Sequence, residues 1–197
     1  MASAHDVAAM ILEREQSALE AFKLQKLVYY CQAWNLVATD EPLFTEPVKA
    51  YENGPVVGVV FNSHRGRRWL SARDLDHGSS ENLTDAERDL ISAVCDAYED
   101  LSTEEIVDLT HREDPWKNAW ARRQLNDRIP QSSMREFYAR VSAIPVEQRS
   151  RDQRVPVLKN ARIAYVCRDD IVAMDTEDDE PSVDLIAAVH RARANLG

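Results

Sequence analysis

The spacing of apolar residues predicts a mainly helical chain. Between residues 21 and 37, Leu24, Leu27, Val28 and Cys31 follow the i, i+3, i+4, i+7 pattern of a helix that buries one face. We expect a shorter helix before it, over about residues 3–13. On the longer helix we expect the apolar stripe to pack inward. Lys23 and Lys26 lie off that stripe, and Gln25, Lys26 and Tyr29 should point more outward.

Further helices are predicted from their capping residues. Thr84, Ser102 and Ser133 are each followed three residues later by a glutamate, the capping-box pattern that satisfies free amide groups at a helix start. Asp114 followed by Pro115 predicts another start, with the aspartate as N-cap and the proline at the first helical position.

The middle of the chain predicts a small β element. Residues 44–52 are β-compatible, and Pro47 would confine that strand to a sheet edge. A turn should follow, because Gly54 accepts a positive φ and Pro55 cannot extend a strand interior. Residues 56–66 predict a short helix. The expected fold class is therefore mainly α with a small β element (α+β).

The C-terminal part of the sequence differs from the rest. From about residue 148 it becomes polar, which predicts a linker between a domain over 1–147 and an extension over 148–197. Residues 163–166 and 171–174 predict two short strands, and an acidic run over 175–180 follows them. Pro181 and Ser182 should then open a final amphipathic helix, so the appendage is a β-hairpin and a helix.

Composition narrows the function classes. The chain has 197 residues, with 24 Lys+Arg against 34 Asp+Glu, a formal net charge of −10. This charge argues against non-specific nucleic-acid or anionic-membrane binding and leaves a basic partner open. No stretch approaches about 18 apolar residues, so no transmembrane helix is expected. Early acidic residues argue against a signal peptide. Three widely spaced cysteines favour a reducing cytoplasm.

Candidate chemistry is sparse. The sequence lacks the phosphate-binding loop, dinucleotide fingerprint, HExxH and nucleophile-elbow motifs. His64, His77 and His111 could assemble a metal site with Asp74 or Asp76, but no pair has the usual ligand spacing. Surface or capping histidines are the favoured interpretation. No catalytic, cofactor-binding or metal-binding residue is therefore assigned, and no cofactor is expected.

Two further pairs admit a functional interpretation. Cys31 with His111 could be a nucleophile and its base, but Cys31 falls on the apolar stripe, which favours a buried structural thiol. Trp116 and Trp120 could form a stacking platform for bases. Their i, i+4 spacing favours core packing, and the net charge opposes nucleic acid.

Two charged clusters remain. Arg65, Arg67 and Arg68 could bind phosphate, although a small basic cluster on an acidic protein is more often solvated or paired with its own carboxylates. The acidic run over 175–180 is either a solvated loop or a contact for a basic partner. The apolar helix beyond it must bury its face against the domain or against a partner.

Three segments together resemble the Panacea domain, also called the SocA-like or phage-associated GepA-like domain. Residues 22–30, FKLQKLVYY, resemble its K-L-Q-K-L-L/V-Y-F/Y helix. Residues 51–56, YENGPV, are similar to its A-x-x-x-G-P-V segment, and residues 110–120, THREDPWKNAW, to its T-H-x-x-x-P-W-x-x-A/T element. The resemblance covers about residues 5–145. We expect these motif residues to be scaffold first, or partner contacts: Lys23, Leu24, Gln25, Lys26, Leu27, Tyr29, Tyr30, Gly54, Pro55, Thr110, His111, Pro115 and Trp116.

The resemblance implies a compact, mostly helical domain that acts as the antitoxin of a toxin–antitoxin pair. It implies neutralisation of a co-encoded toxin protein by direct binding, with no established catalytic residues. One role in the family is as a proteolytic adaptor that delivers a toxin to a AAA+ protease, which adds such a protease to the expected partners. Toxin identity does not carry over, because family members occur with many unrelated toxins.

The leading hypothesis is thus a non-enzymatic cytoplasmic antitoxin of bacterial or phage-defence type. The extension lies outside the resemblance, and we expect it to supply toxin contacts. The candidates are Ile171, Met174, Asp178, Asp179, Leu185, Ile186 and Val189. The alternatives are a hydrolase using Cys31 and His111, or a DNA-binding autorepressor, although no helix-turn-helix with a basic recognition face stands out. Membrane partners are not expected.

Overall fold

The computed structural model describes residues 2–15, 17–75 and 77–158, together with the backbone of 183–184. The described part is mainly helical with small β elements, as predicted. Its helices are α1 (Ala4–Arg14), α2 (Ala21–Thr39), α3 (Gly58–Ser63), α4 (Asp85–Tyr98), α5 (Thr103–Arg112), α6 (Asp114–Ala121) and α7 (Gln131–Ala143). Its strands are β1 (Leu19–Glu20), β2 (Val48–Tyr51), β3 (Gly54–Val57), β4 (Trp69–Leu70), β5 (Val157–Leu158) and β6 (Val183–Asp184).

Helix α2 is the centre of the core. It packs against α1, α4, α5, α7 and β3, and 15 of its 19 residues are buried. Leu24, Leu27 and Val28 pack inward as predicted. The predicted outward face is wrong: the exposed fraction is 1% for Gln25 and 0% for Lys26 and Tyr29. Neighbouring elements surround the helix on all sides, so its polar side chains are buried too.

The β element is an antiparallel hairpin of β2 and β3, in which Val48 pairs with Val57 and Tyr51 with Gly54. Gly54 has φ +94°, as the turn requires. Pro55 does lie inside β3, contrary to the prediction. Its nitrogen points away from β2, so the missing N–H removes no ladder hydrogen bond. The following helix begins only at Gly58 and ends at Ser63.

Two of the four predicted helix caps are confirmed, and two are wrong. Thr84 and Ser102 form the predicted capping boxes with Glu87 and Glu105. The predicted box at Ser133 is wrong, because α7 begins two residues earlier, and the Ser133 hydroxyl instead donates to the Pro130 carbonyl. The cap before α6 is likewise shifted by one residue.

That shifted cap has a consequence for the core. Glu113, not Asp114, is the N-cap of α6, and Asp114 is the first helical residue. Pro115 lies in the first turn, as predicted. The shift leaves Asp114 exposed and directs Glu113 into the interior of the protein.

The chain after α7 returns to the core. Val155 and Leu158 are buried in the same apolar cluster as α2, and Leu158 of β5 pairs with Val183 of β6. Val183–Asp184 is a strand, where the sequence predicts the first turn of a helix. The strands predicted over 163–166 and 171–174 lie outside the described residues. No helix of the described part is both long and apolar enough to cross a membrane.

Candidate functional site

The outer edge of the hairpin is held by side chains of α2. Nζ of Lys26 donates a hydrogen bond to the Pro55 carbonyl at 3.1 Å, and the Val57 N–H donates to Oε1 of Gln25 at 2.9 Å. Both backbone groups face away from β2, where a third strand would otherwise pair with them. Lys26 and Gln25 therefore substitute for a neighbouring strand, which blocks this edge.

Lys26 is tightly enclosed. A Cβ built at Gly54 would lie 2.6 Å from Cε of Lys26 and 2.7 Å from Oγ1 of Thr110, so a side chain at position 54 would collide with both. Burial lowers the pKa of Lys26 to about 7. We call the segments 22–30, 51–56 and 110–120 the first, second and third motifs. Gly54 of the second motif thus allows the first and third motifs to pack closely together.

The third motif holds the turn of the hairpin. Nε1 of Trp116 donates to the Tyr51 carbonyl at 3.0 Å. The His111 ring stacks on Trp116 with centroids 4.2 Å apart, and the backbone of Glu52 hydrogen-bonds the same imidazole. Burial and the nearby Lys26 lower the pKa of His111. We call Gln25, Lys26, Thr110, His111 and Trp116 the hairpin clamp.

The aromatic pair of the third motif extends outward from the clamp. Trp116 is buried, as the core interpretation predicts, whereas Trp120 is only partly buried. Their rings stack at 5.5 Å, and the guanidinium of Arg123 lies 3.9 Å from the Trp120 centroid. The stack supports the clamp from the α6 side.

Three apolar side chains of β2 and α3 are exposed or partly exposed. Tyr51 is 39% exposed, Val59 of α3 is 40% exposed, and Phe61 is partly buried. The Tyr51 and Phe61 rings meet edge to face at 6.4 Å. We call these three residues the hairpin face. The hairpin clamp holds the backbone at Tyr51, whose carbonyl accepts from Nε1 of Trp116.

A second polar cluster lies further along α2. The Tyr138 hydroxyl donates to Oε2 of Glu113 at 2.6 Å, and the Tyr30 hydroxyl lies 3.3 Å from both carboxyl oxygens. Burial raises the pKa of Glu113 to about 8. Tyr29 and Tyr98 complete what we call the tyrosine cluster, whose centre is Glu113.

The remaining motif residues have structural contacts. Nζ of Lys23 donates to the Leu101 carbonyl at 2.6 Å and to the Glu99 carbonyl at 3.1 Å, which secures the connection between α4 and α5. Leu24 and Leu27 lie in the core. The predicted toxin-contact residues between Ile171 and Val189 all lie outside the described residues.

The proposed nucleophile and its base have different surroundings. Cys31 is buried near Cys95, and burial raises the pKa of the Cys31 thiol well above its usual range. A thiolate is therefore disfavoured there. His111 instead contacts Trp116 in the hairpin clamp. The predicted buried thiol is confirmed.

The histidine and arginine predictions have mixed outcomes. His64 is buried, contrary to the surface assignment, and its Nε2 lies 3.1 Å from Nε2 of Gln25. His77 is exposed. Arg67 pairs with Asp74, and Arg68 pairs with Glu20 at 3.4 Å, so two arginines of the basic cluster have carboxylate partners, as predicted.

Sequence reasoning missed the buried polar residues that complete these clusters. Glu113 lies within the third motif but carries no spacing signal of its own, because its partner Tyr138 is 25 residues away. Gln32 was missed as well. Its Oε1 accepts from the Leu43 N–H at 2.9 Å, and its Nε2 donates to the Phe44 carbonyl. The position of Gln32 on an otherwise apolar helix is its only trace in the sequence.

The family match covers the hairpin and the residues that hold it. The model of the family described as Antitoxin SocA-like, Panacea domain matches residues 24–117. This segment is therefore similar to the Panacea domain. The match runs from α2 through the hairpin to the first turn of α6, and it therefore includes every residue of the hairpin clamp. Comparison with curated proteins and with solved structures gives no match.

The three motifs are distant in sequence and adjacent in space. The first and third supply the hairpin clamp, through residues such as Lys26, Thr110 and Trp116. The second supplies the part of the hairpin that the clamp holds, Gly54 and Pro55. Most of these side chains are buried. The arrangement can hold the hairpin in a fixed shape. Few polar groups of the clamp itself are accessible to a ligand.

Proposed function

We propose that this protein is an antitoxin that binds a co-encoded toxin protein and neutralises it by steric occlusion or conformational locking. The family described as antitoxin SocA-like supports the general role. One structural observation supports direct binding: the hairpin clamp uses its polar groups inward, while Tyr51 and Val59 stay exposed and Phe61 is only partly buried. A rigid apolar surface of this kind loses little conformational entropy when a partner covers it.

The negative net charge of the protein favours a toxin that carries basic residues around its apolar contact surface. The chain carries a formal charge of −10. A toxin with a basic rim around its contact surface would be attracted over a distance and would associate faster at low salt. Charge would then favour the correct partner, while the apolar residues of the hairpin face supply most of the binding free energy.

The extension is a second candidate for toxin contacts. Its acidic and apolar residues remain predicted contacts. Because Val155 and Leu158 are buried in the core, a truncation that tests the extension should end after Leu158 and keep both. We expect truncation to lower toxin affinity if the extension contributes. Undiminished affinity and neutralisation would remove this part of the proposal.

The proposed role is non-enzymatic. If Cys31 and His111 catalysed a reaction, Cys31→Ser and His111→Ala would abolish neutralisation without unfolding the protein. We expect Cys31→Ser to neutralise normally. An adaptor role would appear as toxin loss that depends on a AAA+ protease, and an autorepressor role as salt-dependent binding to the promoter DNA of its own operon.

The test of the main proposal is co-expression with the product of the adjacent reading frame. We expect the wild-type protein to restore growth and to copurify with the toxin. Val59→Glu should weaken both effects, because it places a charge in the hairpin face. Val146→Glu is the matched control, since Val146 is also exposed but lies after α7. Equal rescue by the two variants would exclude the hairpin face as the contact.

A further inference from the structure

The loop between α6 and α7, residues 122–130, presents three exposed arginines: Arg122, Arg123 and Arg128. Within the part of the chain that the structure describes, none of the three forms an ion pair with a carboxylate. Asp127 is the one acidic residue in the sequence of the loop, and it pairs with Lys49 at 3.1 Å. The loop is therefore locally basic, on a chain whose formal net charge is −10.

Backbone hydrogen bonds hold this loop in place. Residues 127–129 pair with the outer edge of β2 through two backbone hydrogen bonds, of 2.7 and 2.9 Å. At the start of the loop the Asn126 N–H donates to the Arg122 carbonyl at 3.0 Å, which closes a tight turn. Two further residues span at most about 7 Å, so Arg122 and Arg128 lie on one short stretch of surface. An extended segment of a few residues can therefore reach both.

The other contacts of these arginines fix their side chains and leave donors free. The Arg123 guanidinium lies 3.9 Å from the centroid of the Trp120 ring and donates to the Trp120 carbonyl at 2.9 Å. Nε of Arg122 donates to the Asn118 carbonyl at 3.1 Å. Each arginine thus caps the end of α6 with one N–H. A guanidinium group has several N–H donors, so the others stay available to a partner.

An apolar side chain lies between the arginines. Leu125 is 93% exposed, so it contributes nothing to the core. A lone exposed leucine is ordinary on a protein surface. This one, however, is flanked by arginines that are held in place and by the partly buried Trp120. Arginine and aromatic residues are enriched at protein–protein interfaces, where an apolar centre is surrounded by polar groups.

The chemistry of the loop favours an acidic protein segment over nucleic acid. Guanidinium groups bind carboxylates through paired hydrogen bonds, and both partners are charged. Binding of single-stranded nucleic acid usually adds an aromatic ring on which a base stacks. The Trp120 ring already stacks on Trp116 at 5.5 Å and contacts the Arg123 guanidinium, which leaves little of it for a base. The net charge of −10 also repels a polyphosphate chain.

We propose that the loop between α6 and α7 is a docking surface for an acidic segment of a second protein. Carboxylates of that segment pair with Arg122, Arg123 and Arg128, and an apolar side chain of the segment covers Leu125. None of these residues belongs to the hairpin face or to the hairpin clamp. The docking surface therefore does not depend on the proposed antitoxin function.

Fluorescence anisotropy with the full-length protein tests this proposal. The probe is a labelled peptide of sequence EDELLEDE, at about 0.15 M salt. The comparisons are the basic peptide KRKLLKRK and an oligothymidylate of the same length. We expect the acidic peptide to bind with a Kd below about 200 μM, and both comparisons to bind at least about tenfold more weakly. A higher Kd for the acidic peptide, or a comparison that binds within about tenfold of it, would overturn the proposal.

A charge-reversed variant locates the binding. Arg122→Glu combined with Arg123→Glu should lower the affinity for the acidic peptide about tenfold or more. The matched control is Arg65→Glu combined with Arg73→Glu, because these arginines are also exposed and have no ion pair with a carboxylate of the described residues. Unchanged affinity in the first variant, or an equal loss in the control, would contradict the assignment.

Two single variants separate the apolar contact from the hairpin face. Leu125→Ser should lower the affinity for the peptide about threefold or more, and it should fold normally because Leu125 is 93% exposed. Val59→Glu alters the hairpin face and should leave peptide binding unchanged. Loss of peptide binding in Val59→Glu would mean that the hairpin face, and not the loop, holds the peptide.

Discussion

The hairpin clamp and the tyrosine cluster each bury a residue that is charged in water, Lys26 in the first and Glu113 in the second, with opposite results. Lys26 in the clamp is enclosed on all sides, and its Nζ donates a hydrogen bond to the Pro55 carbonyl. Glu113 in the tyrosine cluster also lines an open cavity. The clamp thus holds the shape of the hairpin, whereas the cluster borders open space. Burial alone does not distinguish the two, but the space beside the buried group does.

Gly54→Ala should have the largest effect, because it breaks the clamp by both strain and collision. The residue has φ +94°, and a Cβ there would press on Lys26 and Thr110. We expect a loss of about 4 kcal/mol in the free energy of unfolding, measured by urea denaturation.

Gly66→Ala is the matched control for this prediction. Gly66 has φ +86° but nothing within 4 Å of its added Cβ, so only the backbone strain remains. We expect a loss of about 1 kcal/mol. Equal losses for the two glycines would mean that close packing at the clamp contributes nothing.

The next effect concerns Glu113 and pH. Burial raises the pKa of Glu113 from 4.5 to about 8, so the folded protein holds this proton more tightly than the unfolded chain. The resulting stability is complete below about pH 4.5 and is lost as pH rises toward 8. Glu113→Gln removes this dependence. Relative to the variant, the wild type should lose about 3 kcal/mol between about pH 5 and pH 7.5.

Urea denaturation at the two pH values measures this difference, with exposed Glu136→Gln as the control. The control should track the wild type at both pH values. If wild type and Glu113→Gln kept a constant difference, the buried carboxyl would not be holding its proton in the folded protein.

Lys26 should show the opposite dependence in a neighbouring pH range. Burial lowers its pKa from 10.5 to about 7, so the unfolded chain holds this proton more tightly. Stability is complete above about pH 10.5 and is lost as pH falls toward 7. Relative to Lys26→Met, the wild type should gain about 2 kcal/mol between about pH 7.5 and pH 9. Exposed Lys117→Met should show no such gain, and a similar gain in both would contradict the clamp.

The sequence predicts the parts of this fold that depend on local rules. The apolar stripe of Leu24, Leu27 and Val28 predicts α2, and the capping boxes at Thr84 and Ser102 predict α4 and α5 closely. Each of these signals lies within about one helical turn, so neighbouring residues suffice. The failed box at Ser133 shows the limit, because the same pattern can occur inside a helix that has already begun.

The candidate sites depend on contacts between residues that are far apart in the sequence, and local rules do not predict such contacts. Lys26 is buried because the hairpin, 29 residues later, offers the Pro55 carbonyl as its partner. Glu113 faces inward because Tyr138 reaches it from α7. Polar residues on a predicted outer face appear solvated until the element that covers them is known. The family motifs identify these positions, but only the structure shows that they support the hairpin face.

The most direct test of the central claim is the affinity of the purified protein for its co-encoded toxin, measured by isothermal titration with the hairpin face intact and altered. We predict tight binding by the wild type, a loss of at least about tenfold for Val59→Glu, and little change for Val146→Glu. No binding by the folded wild-type protein would contradict direct neutralisation. Full binding by Val59→Glu would place the contact elsewhere on the molecule.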